Sequence, residues 1–73
     1  MKLGRDEAVI AVPEGVALAT ECREALEAYA TRPILRRAGV GMIYVVMGYR
    51  VGELVELADR FGVKLERLVE EQL

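Results

Sequence analysis

The stretch "ILRRAGVGMIYVVMGY", residues 34–49, decides how the rest of the chain is read. Ile43, Tyr44, Val45, Val46 and Met47 are mostly β-branched or aromatic, a composition that suits a pleated strand better than a helix. Residues 34–37 form a second β-prone piece. Between the two lie Ala38-Gly39-Val40-Gly41, whose glycines are what a tight hairpin uses where φ is positive. The stretch therefore reads as a hairpin, with strands over 34–37 and 42–49, and Gly48 marks a bulge or a close backbone approach. A phosphate-cradling loop would need strand, glycines and then a helix whose amides meet the anion. Here the glycines precede an apolar strand, and no Gly-Lys-Ser/Thr follows.

Working outward, Ala8-Val9-Ile10-Ala11-Val12 is a first strand stopped by Pro13-Glu14-Gly15. From about Glu14 the period turns helical, with Leu18, Cys22, Ala25, Leu26 and Tyr29 on one stripe. Pro13 and Glu14 suit a first helical turn, and Arg32-Pro33 ends it, because the residue before proline is pushed out of the α region. After the hairpin, Val51, Leu54, Val55, Ala58 and Phe61 make a second helical stripe. Glu56 and Arg60 support it as an i,i+4 pair, and Gly62 with Val63 supplies a C-terminal cap. Residues 64–73 fit either a helix, with Leu65, Leu68, Val69 and Leu73 on one face, or a strand. The four-residue charge spacing and the lack of turn residues favour the helix. The expected class is one α+β domain over residues 1–73. It has a small antiparallel sheet with helices on one face, in the order β-α-β-β-α plus a C-terminal helix. A fourth strand in place of that helix would complete a ferredoxin-like order.

"LVELADRFGVKLERL", residues 54–68, resembles the closing helical hairpin of phage-repressor-type helix-turn-helix regulators, where a Gly-Val turn leads into a short helix. Lys64 stands where that family usually has a capping serine, and no recognition pair of helices precedes it. No DNA-reading residues are carried over.

Composition narrows the rest. A chain of 73 residues buries only about 60% of its unfolded surface, which leaves a thin margin of stability. Cys22 is its only cysteine, so no internal disulfide can brace it. Yet 53% of the residues are hydrophobic, which fits a chain that completes its core by self-association. The first seven residues carry acids where a leader would need its apolar segment. The longest uncharged run, residues 38–49, falls short of the roughly 20 needed to span a bilayer. A soluble, cytoplasmic protein without a membrane partner is expected. The wealth of Arg and Glu, with one Gln and no Asn, is the pattern of heat-adapted proteins.

Catalytic options are few. The chain has no His and no Ser, which removes Ser-His-Asp and Cys-His chemistry and a histidine base. Its carboxylates are spread at helix-surface spacings and not bunched in a metal-binding loop. Cys22 lies on an apolar helical stripe and reads as a small buried hydrophobe. A non-enzyme with no cofactor and no metal is expected.

Charge is more informative. Residues 1–31 carry a net −3, residues 32–50 a net +4, and residues 51–73 a net −3. All the central positive charge is arginine, which suits bidentate anion recognition and stacking on rings. Arg32, Arg36, Arg37, Tyr49 and Arg50 are thus the candidate site for an anionic ligand or an acidic protein partner. The acidic whole and the scarcity of lysine argue against general nucleic-acid binding. In a strand, Met42, Tyr44 and Val46 face one way and Ile43, Val45 and Met47 the other, with neither face polar. Two helices cover one face, so a second copy is expected on the other, with Met42, Ile43, Tyr44, Val45, Val46 and Met47 at the interface. The function expected is a non-enzymatic, homo-oligomeric interaction or small-ligand-binding regulatory module. The alternative is a small nucleic-acid-binding or antitoxin-like regulator.

Overall fold

The structure, a computed structural model, describes residues 2–73. Strand β1 (Glu7–Val12), helix α1 (Thr20–Tyr29), strands β2 (Leu35–Arg37) and β3 (Gly41–Met47), helix α2 (Val51–Arg60) and strand β4 (Glu66–Leu68) follow in turn. Single 3-10 turns occupy Gly48–Arg50 and Glu70–Gln72. The strands form one antiparallel sheet in the order β2-β3-β1-β4. This is the expected α+β class, with two helices on one face. Among the described residues, no helix is long and apolar enough to cross a membrane.

Strand β1 is the hub. It pairs with β3 from Glu7↔Met47 to Val12↔Met42, and with β4 through Val9↔Leu68, Ile10↔Arg67 and Ala11↔Glu66. Because side chains alternate along a strand, Ala8, Ile10 and Val12 join Tyr44 and Val46 under the helices. Cys22 and Leu26 of α1 and Leu54 and Ala58 of α2 complete that core, all four fully buried. Each fully buried leucine contributes about 1.5–3 kcal/mol through removal of its surface from water.

The hairpin forms as the glycines predicted. Gly39 and Gly41 have φ of +82° and +121°, and the Val40 amide donates to the Arg37 carbonyl at 3.1 Å. The second strand is shorter than expected, because at Gly48 the chain leaves the sheet. The Gly48 amide donates to the Asp6 carbonyl at 2.7 Å, and a Cβ there would stand 3.2 Å from the same oxygen. Gly48 is thus a close backbone approach.

Helix α1 begins at Thr20 and not near Glu14. Gly15 takes φ +78°, which no helix accommodates, and the Val16 amide closes a turn onto the Pro13 carbonyl. Ala19 is still extended, at ψ 142°. The expected C-terminal helix is absent too. Gly62, at φ +75°, reverses the chain after α2, and the Val63 amide caps the helix on the Ala58 carbonyl at 3.0 Å. From there the chain runs extended into β4, and only a single 3-10 turn follows. The helix-glycine-helix pattern that resembled a repressor hairpin is therefore a helix-glycine-strand unit.

The second face of the sheet is covered from within the chain. Val9, Ala11, Ile43, Val45 and Leu68 form a second buried cluster, and Leu3, Val40 and Leu73 pack against it. The two terminal segments meet where the Leu3 amide donates to the Glu70 carboxylate at 2.6 Å. The tail then reaches the far edge of the sheet, where the Arg37 guanidinium donates to the Gln72 carbonyl at 3.2 Å.

Candidate functional site

The five residues singled out as an anion site fall into two groups at opposite ends of the sheet. Arg36 and Arg37 sit on β2, opposite Met42 and Gly41 where β3 begins. Arg32, Tyr49 and Arg50 lie at the other end, where β1 starts and β3 stops.

Most of these side chains have partners in the chain. Arg32 grips Glu7 through two bonds, Nε to Oε2 at 3.2 Å and Nη2 to Oε1 at 2.5 Å. Glu7 also accepts from the Gly4 amide at 2.7 Å and the Thr31 hydroxyl at 2.8 Å. The Arg32 guanidinium, the Gly4 amide and the Thr31 hydroxyl together hold the Glu7 carboxyl down at about 2, against the small opposing effect of burial. A carboxylate lowered in the folded state contributes stability that is fully present above its unfolded pKa and lost as pH falls toward the folded value. Urea denaturation should therefore show a loss of stability between about pH 4.5 and pH 2, and Glu7→Gln should flatten the curve in that window. An unchanged pH profile in the variant would contradict this anchoring role.

Arg50 donates to Glu53 at 3.1 Å and lies over the Tyr29 ring, 4.2 Å from its centroid, with Tyr49 at 5.3 Å. Tyr29 in turn donates its hydroxyl to Glu53 at 2.8 Å, and its own ionisation is pushed up as a result. This lattice fixes the turn at Gly48–Arg50 and leaves the Tyr49 side chain outside, 76% exposed. An aromatic ring that open gains little from packing. It stands ready to stack.

Beside Tyr49 the surface dips into a pocket of about 370 Å³ whose rim includes Arg5, Asp6, Gly48 and Arg67. Neither guanidinium has an ion-pair or hydrogen-bond partner among the described residues. Arg5 comes from the segment before β1, and Arg67 from β4, next to Ile10. No pattern in the sequence links them, because each lies in an acidic third of the chain and only the pairing of β4 with β1 brings them together. Two free guanidinium groups next to an exposed phenol ring can hold an anion and stack its ring. Asp6 and Glu7 also line the pocket, with Glu7 engaged by Arg32, so Asp6 is the carboxylate such an anion must avoid.

Arg36 occupies a different setting. It lines a groove of about 360 Å³ between α1 and the β2 edge, with Val16, Leu18, Ile34 and Tyr44 supplying apolar walls and Arg23 and Glu27 its charged lip. Burial pushes the Tyr44 hydroxyl up, with Glu27 acting in the same direction and Arg23 against it. The expected interface residues Ile43, Tyr44, Val45 and Val46 are buried within one chain, and Met42 and Met47 are half-buried.

Cys22 is fully buried, and burial pushes its thiol up, away from the reactive thiolate. Among the described residues, no three carboxylate or thiol groups gather as metal ligands. No protein-family model, curated protein or solved structure matches this chain.

Proposed function

We propose that this protein is a non-enzymatic binding module whose ligand is a small anion carrying a planar ring, held at the Tyr49 end of the sheet. The observation that carries the reading is that Arg5 and Arg67, both free of partners among the described residues, line one pocket beside an exposed tyrosine. The guanidinium groups take the phosphate or carboxylate, and the Tyr49 ring stacks on the planar part. The chain's net charge of −2 supports a compact anion over a long polyanion, because an acidic molecule repels an extended run of negative charge. The buried thiol with its raised pKa and the absence of His and Ser from the sequence support a binding role without chemistry. Release and capture of such a ligand would suit a regulatory module.

Calorimetry with adenosine monophosphate, ribose 5-phosphate and inorganic phosphate tests the reading at low salt. The nucleotide should bind with a Kd of about 0.1–1 mM, the strength expected of an open site with a few polar contacts. Arg67→Ala should weaken it about tenfold, in line with loss of a hydrogen bond between charged groups. Tyr49→Ala should erase the preference for the nucleotide over ribose 5-phosphate, because ring stacking is worth roughly 1–3 kcal/mol. Equal binding of all three probes by the unaltered protein would remove the stacking role. No binding at millimolar nucleotide would reject the site.

A further inference from the structure

We infer that the β2 edge of the sheet is a docking strand for an acidic, extended segment of another protein, which adds to the sheet beside Leu35–Arg37. This surface lies at the opposite end of the sheet from the Tyr49 pocket and stands independently of it.

Among the described residues, strand β2 ends the sheet and pairs only with β3. All three of its residues are exposed, including Leu35 at 43%. An edge strand presents a row of backbone donors and acceptors to any extended chain that comes alongside, and side-chain pockets next to it supply selectivity. Here the register with β3 fixes what a newcomer would meet. Arg36, opposite Met42, points to the helix side, where the groove walled by Val16, Leu18 and Ile34 lies open. Leu35 and Arg37 point to the other side. An added strand would thus place alternate residues against Arg36 and the apolar groove, and the others against Leu35 and Arg37.

Charge selects the occupant. Among its three residues β2 carries two arginines, and Arg23 stands across the groove. Of the nearby acids, Glu14 is bonded to the Gly39 amide, and Glu27 lies on the α1 side of the groove. Arg36 has no partner among the described residues, and Arg37 makes a single bond, to the Gln72 carbonyl. A second copy is a poor occupant, because antiparallel pairing of the three-residue β2 with itself over its full length sets Arg36 against Arg36, and like charges directly opposite destabilise a sheet. An acidic strand meets the same positions with opposite charge.

The test titrates isotope-labelled protein with a short peptide alternating glutamate and valine, and with a control alternating glutamate and proline, which keeps the charge but cannot pair as a strand. The valine peptide should shift the amide resonances of residues 34–37 and slow exchange of β2 amides at least tenfold. Arg36→Glu, an exposed substitution, should weaken binding at least tenfold. Equal binding of the proline control would reduce the effect to bulk charge and overturn strand addition. Shifts confined to Arg5, Tyr49 and Arg67, or none at all at low salt, would also overturn it. So would sedimentation showing that the protein alone pairs through β2.

Discussion

Gly41→Ala should unfold the protein or leave it with little of its stability, while Gly39→Ala, two residues away in the same hairpin, should cost about 1–2 kcal/mol. Both glycines have positive φ, so both substitutions carry the penalty for an L residue in that region. The difference lies in what surrounds them. Nothing stands within 4 Å of a Cβ built on Gly39. A Cβ on Gly41 would sit 1.9 Å from the Val12 carbonyl oxygen and 3.0 Å from the Glu14 nitrogen, both backbone atoms of the strand and turn beside it. Backbone cannot swing aside as a side chain can, so β1 and β3 would have to separate at that end. Strain at a special φ combined with a backbone clash belongs to the rare substitutions costing about 4 kcal/mol or more. A domain of this size has about 4–11 kcal/mol in total. Thermal denaturation followed by circular dichroism should show Gly39→Ala lowered by roughly 5–15 °C. Gly41→Ala should be lowered much further or already unfolded at room temperature. Equal melting shifts for the two would mean that the close approach at Gly41 relaxes freely.

The same contrast shows what could be read in the sequence. The hairpin was legible because β-branched residues and paired glycines act locally: the turn needs positive φ whatever the rest of the chain does. Helix α2 was legible for a similar reason, its apolar stripe and the Gly62 cap being set within a few residues. The start of α1 was not, because Leu18 falls in register with the later stripe while Gly15 breaks the helix before it. The tail carried two overlapping patterns, and the reversal at Gly62 decided between them by laying residues 66–68 against β1. The site was least legible. Arg32 and Arg50 attracted notice through local charge, yet both are engaged by Glu7 and Glu53. The pocket instead takes Arg5 and Arg67, whose proximity depends on the β1–β4 register, a long-range property that spacing along the chain does not encode.

Removal of residues 70–73 should destabilise the protein and make it self-associate. The sequence places apolar side chains on both faces of β3, and a second copy was the expected cover for the face away from the helices. In the folded chain Leu3, Val40 and Leu73 cover it instead. The C-terminal part of that cover is held by modest exposed contacts, from the Leu3 amide to Glu70 and from Arg37 to the Gln72 carbonyl. Without the tail, Leu73 no longer packs on Val9, Ala11, Ile43, Val45 and Leu68. Loss of one leucine's burial corresponds to about 1–3 kcal/mol, and the newly open surface gains most by meeting another apolar surface. Sedimentation velocity at tens of micromolar should show the shortened chain in larger species than the full chain. Leu73→Ala should lie between them, while Arg37→Ala should change stability by less than about 1 kcal/mol, as expected for an exposed bond. If the shortened chain keeps both its stability and its sedimentation coefficient, the tail is not the cover of that face. If the full chain is already a dimer and shortening leaves the dimer unchanged, copies meet elsewhere, and the covered face plays no part in assembly. A shift from smaller to larger species on shortening alone would make self-association of this fold a matter of whether its own C-terminal segment is in place.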